Sequence, residues 1–128
     1  MKISYQLTLR EFFSKLVQYL SPITGPISPV EEKILFQFLI LPSEKFKYNR
    51  FSTLGRRKVL HALNQTEHIS VPNINNRIYD LCKKKVIVRD EDNLMQVVPS
   101  LSRPFEAFQR GVFNLNIQFE NKDNQNPT

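Results

Sequence analysis

The sequence contains few residues of several types, and each shortage excludes a class of site. Cys82 is the only cysteine among the 128 residues, so no disulfide can form within the chain. The three glycines are not clustered, which excludes a glycine-rich loop for phosphate binding. His61 and His68 have no third metal ligand at a suitable spacing, which argues against a zinc site.

Long apolar segments are also missing. The longest, residues 34–41, is interrupted by Gln37 and falls far short of the roughly 20 residues that cross a bilayer. The N-terminus lacks the apolar region and cleavage site of a signal peptide. No nucleophile has an identifiable partner base. We therefore predict a cytoplasmic protein, or a protein of the host cytoplasm if it is viral, that is not an enzyme, uses no cofactor or metal and does not bind membranes.

The composition predicts one globular domain with an aromatic-rich core. Hydrophobic residues make up 41% of the chain and charged residues 23%, with ten Phe and four Tyr. The net charge of +6 is unevenly distributed, because residues 45–89 carry eleven basic and two acidic residues, a local charge of +9. Such a segment is typical of proteins that bind an anionic partner, although a solvated surface accounts for many basic clusters.

Capping residues predict where several helices begin. Thr8 with Glu11, and Ser28 with Glu31, have the spacing of capping boxes, and Ser70 is suited to cap another helix. Apolar residues at spacings of three and four follow each of these starts, so each helix has one face to bury.

Prolines predict where helices end. The first helix is expected to stop at Ser21 before Pro22, and the second before Pro42. A further helix is expected to begin at Ser52 or Thr53.

Alternating patterns predict strands. Basic and aromatic residues alternate at residues 45–51, which suggests a short strand with its aromatic side chains inward. Residues 86–88 and 94–98 are expected to form a hairpin around an acidic turn. Residues 3–7 and 113–119 also alternate, and we expect these two segments to pair, within one chain or between two chains.

These elements suggest four segments. Residues 1–28 are an N-terminal extension of a strand and a helix, and residues 29–100 are the main domain. Residues 101–120 are a C-terminal strand extension that packs with the N-terminus and begins with an uncertain element, interpreted as a helical turn after Pro104. Residues 121–128 are a polar tail predicted to be disordered.

The capped helix and the hairpin that follows it resemble those of winged helix-turn-helix proteins, in particular small bacterial and phage transcriptional regulators of the MarR type. The resemblance covers residues 29–98. It implies a mostly α fold with a small β part (α+β), in which a winged-helix core carries a terminal strand-helix-strand extension. The residues that carry the resemblance are Ser70, Ile74, Ile78, Leu81, Lys83, Lys84, Lys85, Val86 and Ile87.

The resemblance also implies a role for the helix after Ser70. Its residues Asn73, Asn75, Asn76 and Arg77 occupy positions that reach base edges, where Asn can bind adenine and Arg can bind guanine. Solvent-facing polar residues are the alternative interpretation. The basic residues expected to bind DNA phosphates are Lys45, Lys47, Arg50, Arg56, Arg57, Lys58, Lys83 and Lys84.

Two functions are compatible with this pattern. The first is a DNA-binding transcriptional regulator whose partner is double-stranded DNA. The second is a structural or assembly protein of a phage particle or of replication, which uses the winged helix to bind proteins. The acidic turn at residues 90–93 favours the second function, because carboxylates are repelled by phosphate. In either case we expect contacts with other chains through the terminal strands, in a homodimer or a larger assembly.

Overall fold

The computed structural model describes residues 7–65 and 68–111, which form a mostly helical chain with one small sheet. The α+β class expected from the sequence is therefore confirmed. Within these residues the elements, in chain order, are α1 (Leu9–Thr24), α2 (Pro29–Leu39), α3 (Ser43–Phe46), α4 (Thr53–Leu63), α5 (Val71–Lys83), β1 (Ile87–Arg89), β2 (Met95–Val97) and α6 (Pro99–Gln109).

The predicted helix starts are confirmed. Thr8 and Ser28 each accept a hydrogen bond from the backbone N–H three residues later, and the glutamate there accepts one from the N–H of the cap. Ser52 and Ser70 cap α4 and α5 through their hydroxyl oxygens. These caps satisfy N–H groups that have no partner inside a helix, so local sequence fixes where these four helices begin.

The predicted end of α1 is wrong, because the helix continues through Pro22 to Thr24. A proline within a helix leaves the carbonyl four residues earlier without its N–H donor. Here that carbonyl belongs to Gln18, and the Ser21 hydroxyl donates to it at 3.0 Å. The helix ends instead at Gly25, whose φ of 80° is favourable for glycine.

The predicted strand at residues 45–51 is also wrong, since this segment begins in the short helix α3 and continues as turns. Phe46 is buried as expected, but Tyr48 is exposed. Arg50 and Phe51 are buried instead. The buried positions 46, 50 and 51 follow the spacing of a helical turn, whereas the prediction assumed the alternation of a strand.

The uncertain element after residue 100 is part of helix α6, which packs against α1. The rings of Phe12 and Phe108 stack with centroids 4.3 Å apart, and Phe13 meets Phe105 edge to face at 5.5 Å. Helix α6 therefore covers the aromatic face of α1. The segments at residues 3–7 and 113–119, predicted to pair as strands, lie outside the described residues apart from Leu7.

All the helices except α3 share one core with the hairpin. Helix α2 lies at its centre, in contact with α1, α4 and α5, and α4 also contacts α5. The hairpin is antiparallel, with Ile87 opposite Val97, both buried. It follows α5 through Lys85, whose φ of 62° reverses the chain so that the Val86 N–H donates to the Leu81 carbonyl at 3.0 Å.

Gly55 lies in the first turn of α4, where no larger residue fits. A Cβ atom at this position would overlap the backbone carbonyl oxygen of Arg50. The α4 helix therefore starts in direct contact with the loop that precedes it.

We predict that Gly55→Ala lowers the free energy of unfolding by about 1–3 kcal/mol, because overlap in a packed site forces the backbone to move. This loss should occur although alanine favours helix more than glycine by about 1 kcal/mol. Denaturant unfolding followed by circular dichroism measures the change. Lys58→Ala, at an exposed position of the same helix, is the control and should change stability by less than about 0.5 kcal/mol. A Gly55→Ala protein as stable as the wild type would contradict the prediction.

Candidate nucleic-acid interface

Helix α5 has one buried side and one exposed side. Ser70 caps its first turn, and Pro72 lies where a helix needs no N–H donor, so its start is well defined. Ile74, Ile78 and Leu81 are buried in the core. These three side chains fix the rotation of α5 about its own axis, and they leave the opposite side of the helix facing solvent.

The four residues predicted to read bases are spread across this exposed side. Asn73, Asn75 and Asn76 are exposed, whereas Arg77 is half-buried. Each residue of a helix is rotated by about 100° from the last, so Asn76 lies at the centre, with Asn73 and Asn75 on opposite flanks. Arg77 lies furthest round towards the core. The accessible amides therefore span a broad surface rather than a single line.

Arg56 links α4 to this surface. Its Nη1 donates to Asn75 Oδ1 at 2.7 Å, and its Nε donates to the Phe51 carbonyl at 2.8 Å. The guanidinium is thus held between the start of α4 and the side of α5. Arg56 positions the Asn75 side chain, and one acceptor site of that amide is already occupied.

Tyr79 and Lys83 complete the exposed side of α5. Tyr79 is 61% exposed, and the Lys83 Nζ lies 4.5 Å from the centre of its ring. Asn76, Tyr79 and Lys83 are three and four residues apart, which places them in one row along the helix. The prediction included Asn76 and Lys83 but left out Tyr79, although its spacing from Asn76 was a usable signal.

A cleft of about 320 Å³ separates the first turns of α4 and α5. Its floor contains Leu60 and Ile74, and Arg56 and Arg57 line it from α4. Lys58 is exposed but does not line this cleft, because it lies about 200° round the helix from Arg56. Of the three consecutive basic residues at positions 56–58, the structure therefore places Arg56 and Arg57 next to α5.

Lys45 and Lys47, which the sequence also predicts to bind phosphate, belong to the segment around α3. Both are exposed, Lys45 on α3 and Lys47 just after it. Lys47 lines a different cleft, whose other walls are formed by β2 and α6 and which includes no residue of α4 or α5. The predicted phosphate-binding residues are thus divided between two surfaces.

Arg50 is buried and has a structural role, so its predicted contact with the phosphates of DNA beside α5 is corrected. Its Nη1 donates to the carbonyl oxygens of Phe38, Leu39 and Leu41, at and after the end of α2. Burial lowers the pKa of Arg50, and the nearby charge of Glu106 opposes that shift. The last carbonyls of a helix have no partner within the helix, and this guanidinium supplies one.

We predict that Arg50→Ala lowers the free energy of unfolding by about 2–4 kcal/mol, because the Leu39 and Leu41 carbonyls lose their guanidinium donor and Phe38 keeps only a backbone N–H. Arg50→Lys should recover only part of the loss, since an ammonium cannot reproduce the planar guanidinium. Thermal and denaturant unfolding measure both variants. Lys47→Ala, at an exposed position nearby, is the control and should be close to the wild type. An Arg50→Ala protein of wild-type stability would show that these bonds contribute nothing.

Lys84 is also held within the protein rather than available to phosphate. Its Nζ lies 2.7 Å from Glu31 Oε1 and donates to the Pro26 carbonyl at 2.8 Å. Burial alone would raise the pKa of Glu31, but the hydrogen bonds from Lys84 and Ser28 outweigh it and hold that pKa below its usual value. The pair joins the start of α2 to the end of α5.

This pair predicts a pH-dependent difference between the wild type and Glu31→Gln. A carboxylate whose pKa is lowered by folding stabilises the protein above its unfolded pKa, and this contribution is lost as the pH falls through the folded pKa. We expect Glu31→Gln to be less stable than the wild type by about 1–2 kcal/mol at neutral pH. This difference in the free energy of unfolding should narrow below about pH 4, because the usual pKa of Glu is about 4.3. Urea unfolding of both proteins at neutral pH and below pH 4 measures the difference, and a difference that stays constant would contradict the prediction.

The turn of the hairpin is acidic and exposed. Asp90 Oδ1 accepts hydrogen bonds from the N–H groups of Asp92 and Leu94, and Arg89 donates to the Asn93 carbonyl at 2.8 Å. Asp92 and the neighbouring Glu91 have exposed side chains. This turn is ordered by its own contacts, and its charge is unfavourable for contact with phosphate.

Residues 7–65 and 68–111 contain no group of three His, Cys, Asp or Glu side chains arranged to hold a metal ion. Among the helices of the same residues, none has the length and apolar character required to span a membrane. Cys82 is partly buried on α5, and burial raises the pKa of its thiol, which favours the neutral form at neutral pH. Cys82 therefore behaves as a small packing residue in this part of the chain.

Comparison with protein-family models, with curated proteins and with solved structures gives no significant match to this chain. The function must therefore be inferred from the residues and geometry of α4 and α5.

Proposed function

We propose that this protein binds double-stranded DNA as a small transcriptional regulator, with α5 as the recognition helix of a winged-helix domain. The order of α2, α4, α5 and the hairpin supports this interpretation, because a winged helix has three helices followed by a β-hairpin. An α-helix fits the major groove of DNA, where side chains on its exposed side can reach base edges.

The exposed side of α5 is the observation that carries the proposal. The apolar side of this helix is buried through Ile74, Ile78 and Leu81, so its orientation is fixed. Its free side holds amides, Tyr79 and Lys83, and the two arginines of α4 lie on its flank. A rigid helix that presents hydrogen-bonding side chains beside cations has the properties required for sequence-dependent DNA binding.

The proposal assigns different contacts to these residues. Asn73 and Asn76 have accessible amides that can donate to and accept from adenine, and Arg77 flanks them. Arg57 and Lys83 are exposed cations suited to bind phosphates on either side of the groove, whereas Lys58 lies on the side of α4 away from α5. Arg50 and Lys84 are not among the proposed contacts, since each is bonded within the protein.

The acidic turn restricts how the domain meets DNA. A wing that binds the DNA backbone requires cations, whereas the turn here carries Asp90, Glu91 and Asp92. In the proposed complex the hairpin points away from the phosphates, and contact is limited to α5 and α4. One such surface is small, so a homodimer that binds two half-sites is the arrangement we propose.

We expect the protein to bind a mixed-sequence duplex at low salt and to lose affinity steeply as salt rises, because bound phosphates release counterions. Arg57→Gln should weaken binding and reduce the slope of log K against log salt concentration by about 0.9. Fluorescence anisotropy with a labelled duplex measures both quantities. Asn76→Ala should instead reduce the preference for a selected sequence over a random one.

The matched control is Arg103→Gln. Arg103 is an exposed arginine of α6 that lines the other cleft, away from α5, so this variant should bind duplex DNA as the wild type does. Absence of measurable duplex binding at low salt would overturn the proposed function. An equal loss in Arg57→Gln and Arg103→Gln would show that attraction by net charge accounts for the binding.

A protein of phage or replication assembly is the second candidate. The exposed acidic turn favours it, and so do Tyr19 and Ile23, which lie one turn apart on α1 and are 80% and 81% exposed within the described part of the chain. An apolar pair of this kind is suited to contact another protein. The duplex titration separates the candidates, because an assembly protein of this type does not require DNA.

A further inference from the structure

A second cleft, of about 650 Å³, lies between α3, β2 and α6. Its volume falls in the range of small-molecule binding sites, which is roughly 300–1,000 Å³. Its charged lining residues are Lys47, Arg50, Arg103, Glu106 and Arg110. Four positive charges against one negative charge give the cleft a net charge of +3, so it attracts anions.

The cations on its rim have head groups that no described residue neutralises. No described residue forms an ion pair or hydrogen bond with the side chains of Arg103 or Arg110. Lys47 contacts only the ring of Tyr48, at 5.3 Å, within the same part of the chain. Like charges held in one concave site repel one another, and a bound anion relieves that repulsion.

Arg50 supplies a rigid, buried donor at this cleft. The residue is 8% exposed, and its Nη1 is fixed by the carbonyls at the end of α2. Its Nε and Nη2 groups have no hydrogen-bond partner among the described residues. In this part of the chain, every polar side-chain atom without a partner is at least partly accessible to solvent. These N–H groups are therefore not fully buried, and Arg50 is one of the residues that line the cleft, so the guanidinium is held in place there before a ligand arrives.

The first turn of α6 adds to the same site. Pro99 and Ser102 of this turn line the cleft together with Arg103 just after it, and no side chain caps the helix start, although the Leu101 and Ser102 N–H groups donate to the Val98 carbonyl. The start of a helix carries a partial positive charge, which favours a nearby anion. The Ser102 hydroxyl is a further donor for an anion's oxygen atoms.

We propose that this cleft binds a small organic phosphate through its phosphate group, with Arg50, Arg103 and Arg110 as the principal donors. A phosphate monoester carries close to two negative charges at neutral pH, which suits the net charge of +3 better than the single charge of a phosphodiester. Tyr48, which is 61% exposed at the edge of the cleft, offers an aromatic surface to the organic part of the ligand. The site shares no residue with α4 or α5, so it does not depend on the proposed DNA interface.

The test uses adenosine monophosphate, inorganic phosphate and adenosine as probes, each titrated into the full-length protein and followed by calorimetry. We expect saturable binding of the two phosphate-containing probes and none of adenosine. Arg103→Gln and Arg110→Gln should each weaken binding by about tenfold or more, because each removes charge-assisted hydrogen bonds. Arg57→Gln is the matched control and should bind adenosine monophosphate as the wild type does. Circular dichroism checks that each variant is folded.

Three results would overturn the proposal. The first is no saturable binding of either phosphate probe. The second is an equal loss in Arg57→Gln, which would mean that binding follows overall charge. The third is a weaker duplex affinity in Arg103→Gln without any effect on adenosine monophosphate, which would assign the cleft to the DNA backbone. If this proposal fails, the proposal of duplex binding through α5 still stands, because duplex titration of Arg57→Gln tests that interface separately.

Discussion

The hydrogen bonds from Arg50 to the end of α2 are the interaction on which the arrangement of the helices depends. They terminate the central helix with a cation instead of water, and they hold the loop between α3 and α4 against it. The backbone of the same residue touches Gly55, so the start of α4 is set by the same loop. Because α4 packs on α5, the Arg50 guanidinium helps to set the position of the exposed surface of α5, although it makes no contact with that surface.

The basic residues in the middle of the sequence have four separate roles in the structure. Arg50 and Lys84 satisfy oxygen atoms of the protein itself, and Arg56 connects α4 to α5. Other cations face solvent beside α5, and Lys47 belongs to the cleft at α6. The basic residues of this one sequence segment therefore contribute to several surfaces and to some interior contacts, and they do not form a single binding face.

Local chemistry explains what the sequence predicted correctly. A hydroxyl at a helix start and a glutamate three residues later interact over a few bonds, so Thr8 and Ser28 were sufficient to place α1 and α2. The errors came from hydrogen-bond partners that the hydrophobic pattern does not show, one of them local and the others distant. The Ser21 hydroxyl compensates for Pro22, the α2 carbonyls bind Arg50, and Glu31 neutralises Lys84 from 53 residues away. No periodicity within a window of sequence reveals these partners, so the buried Arg50 and the half-buried Lys84 were both assigned to phosphate binding.

The packing of α6 on α1 has a consequence for how the chain reaches its folded state. Phe12 and Phe13 belong to the first helix of the described chain, whereas their partners Phe105 and Phe108 belong to the last. During synthesis the aromatic face of α1 leaves the ribosome before α6 and stays uncovered until α6 follows. Uncovered aromatic surface promotes association between chains, so the nascent protein is expected to be more prone to aggregate before α6 is made. Completion of this core thus depends on the last element of the described residues, and a chain that ends before α6 leaves the aromatic face of α1 exposed.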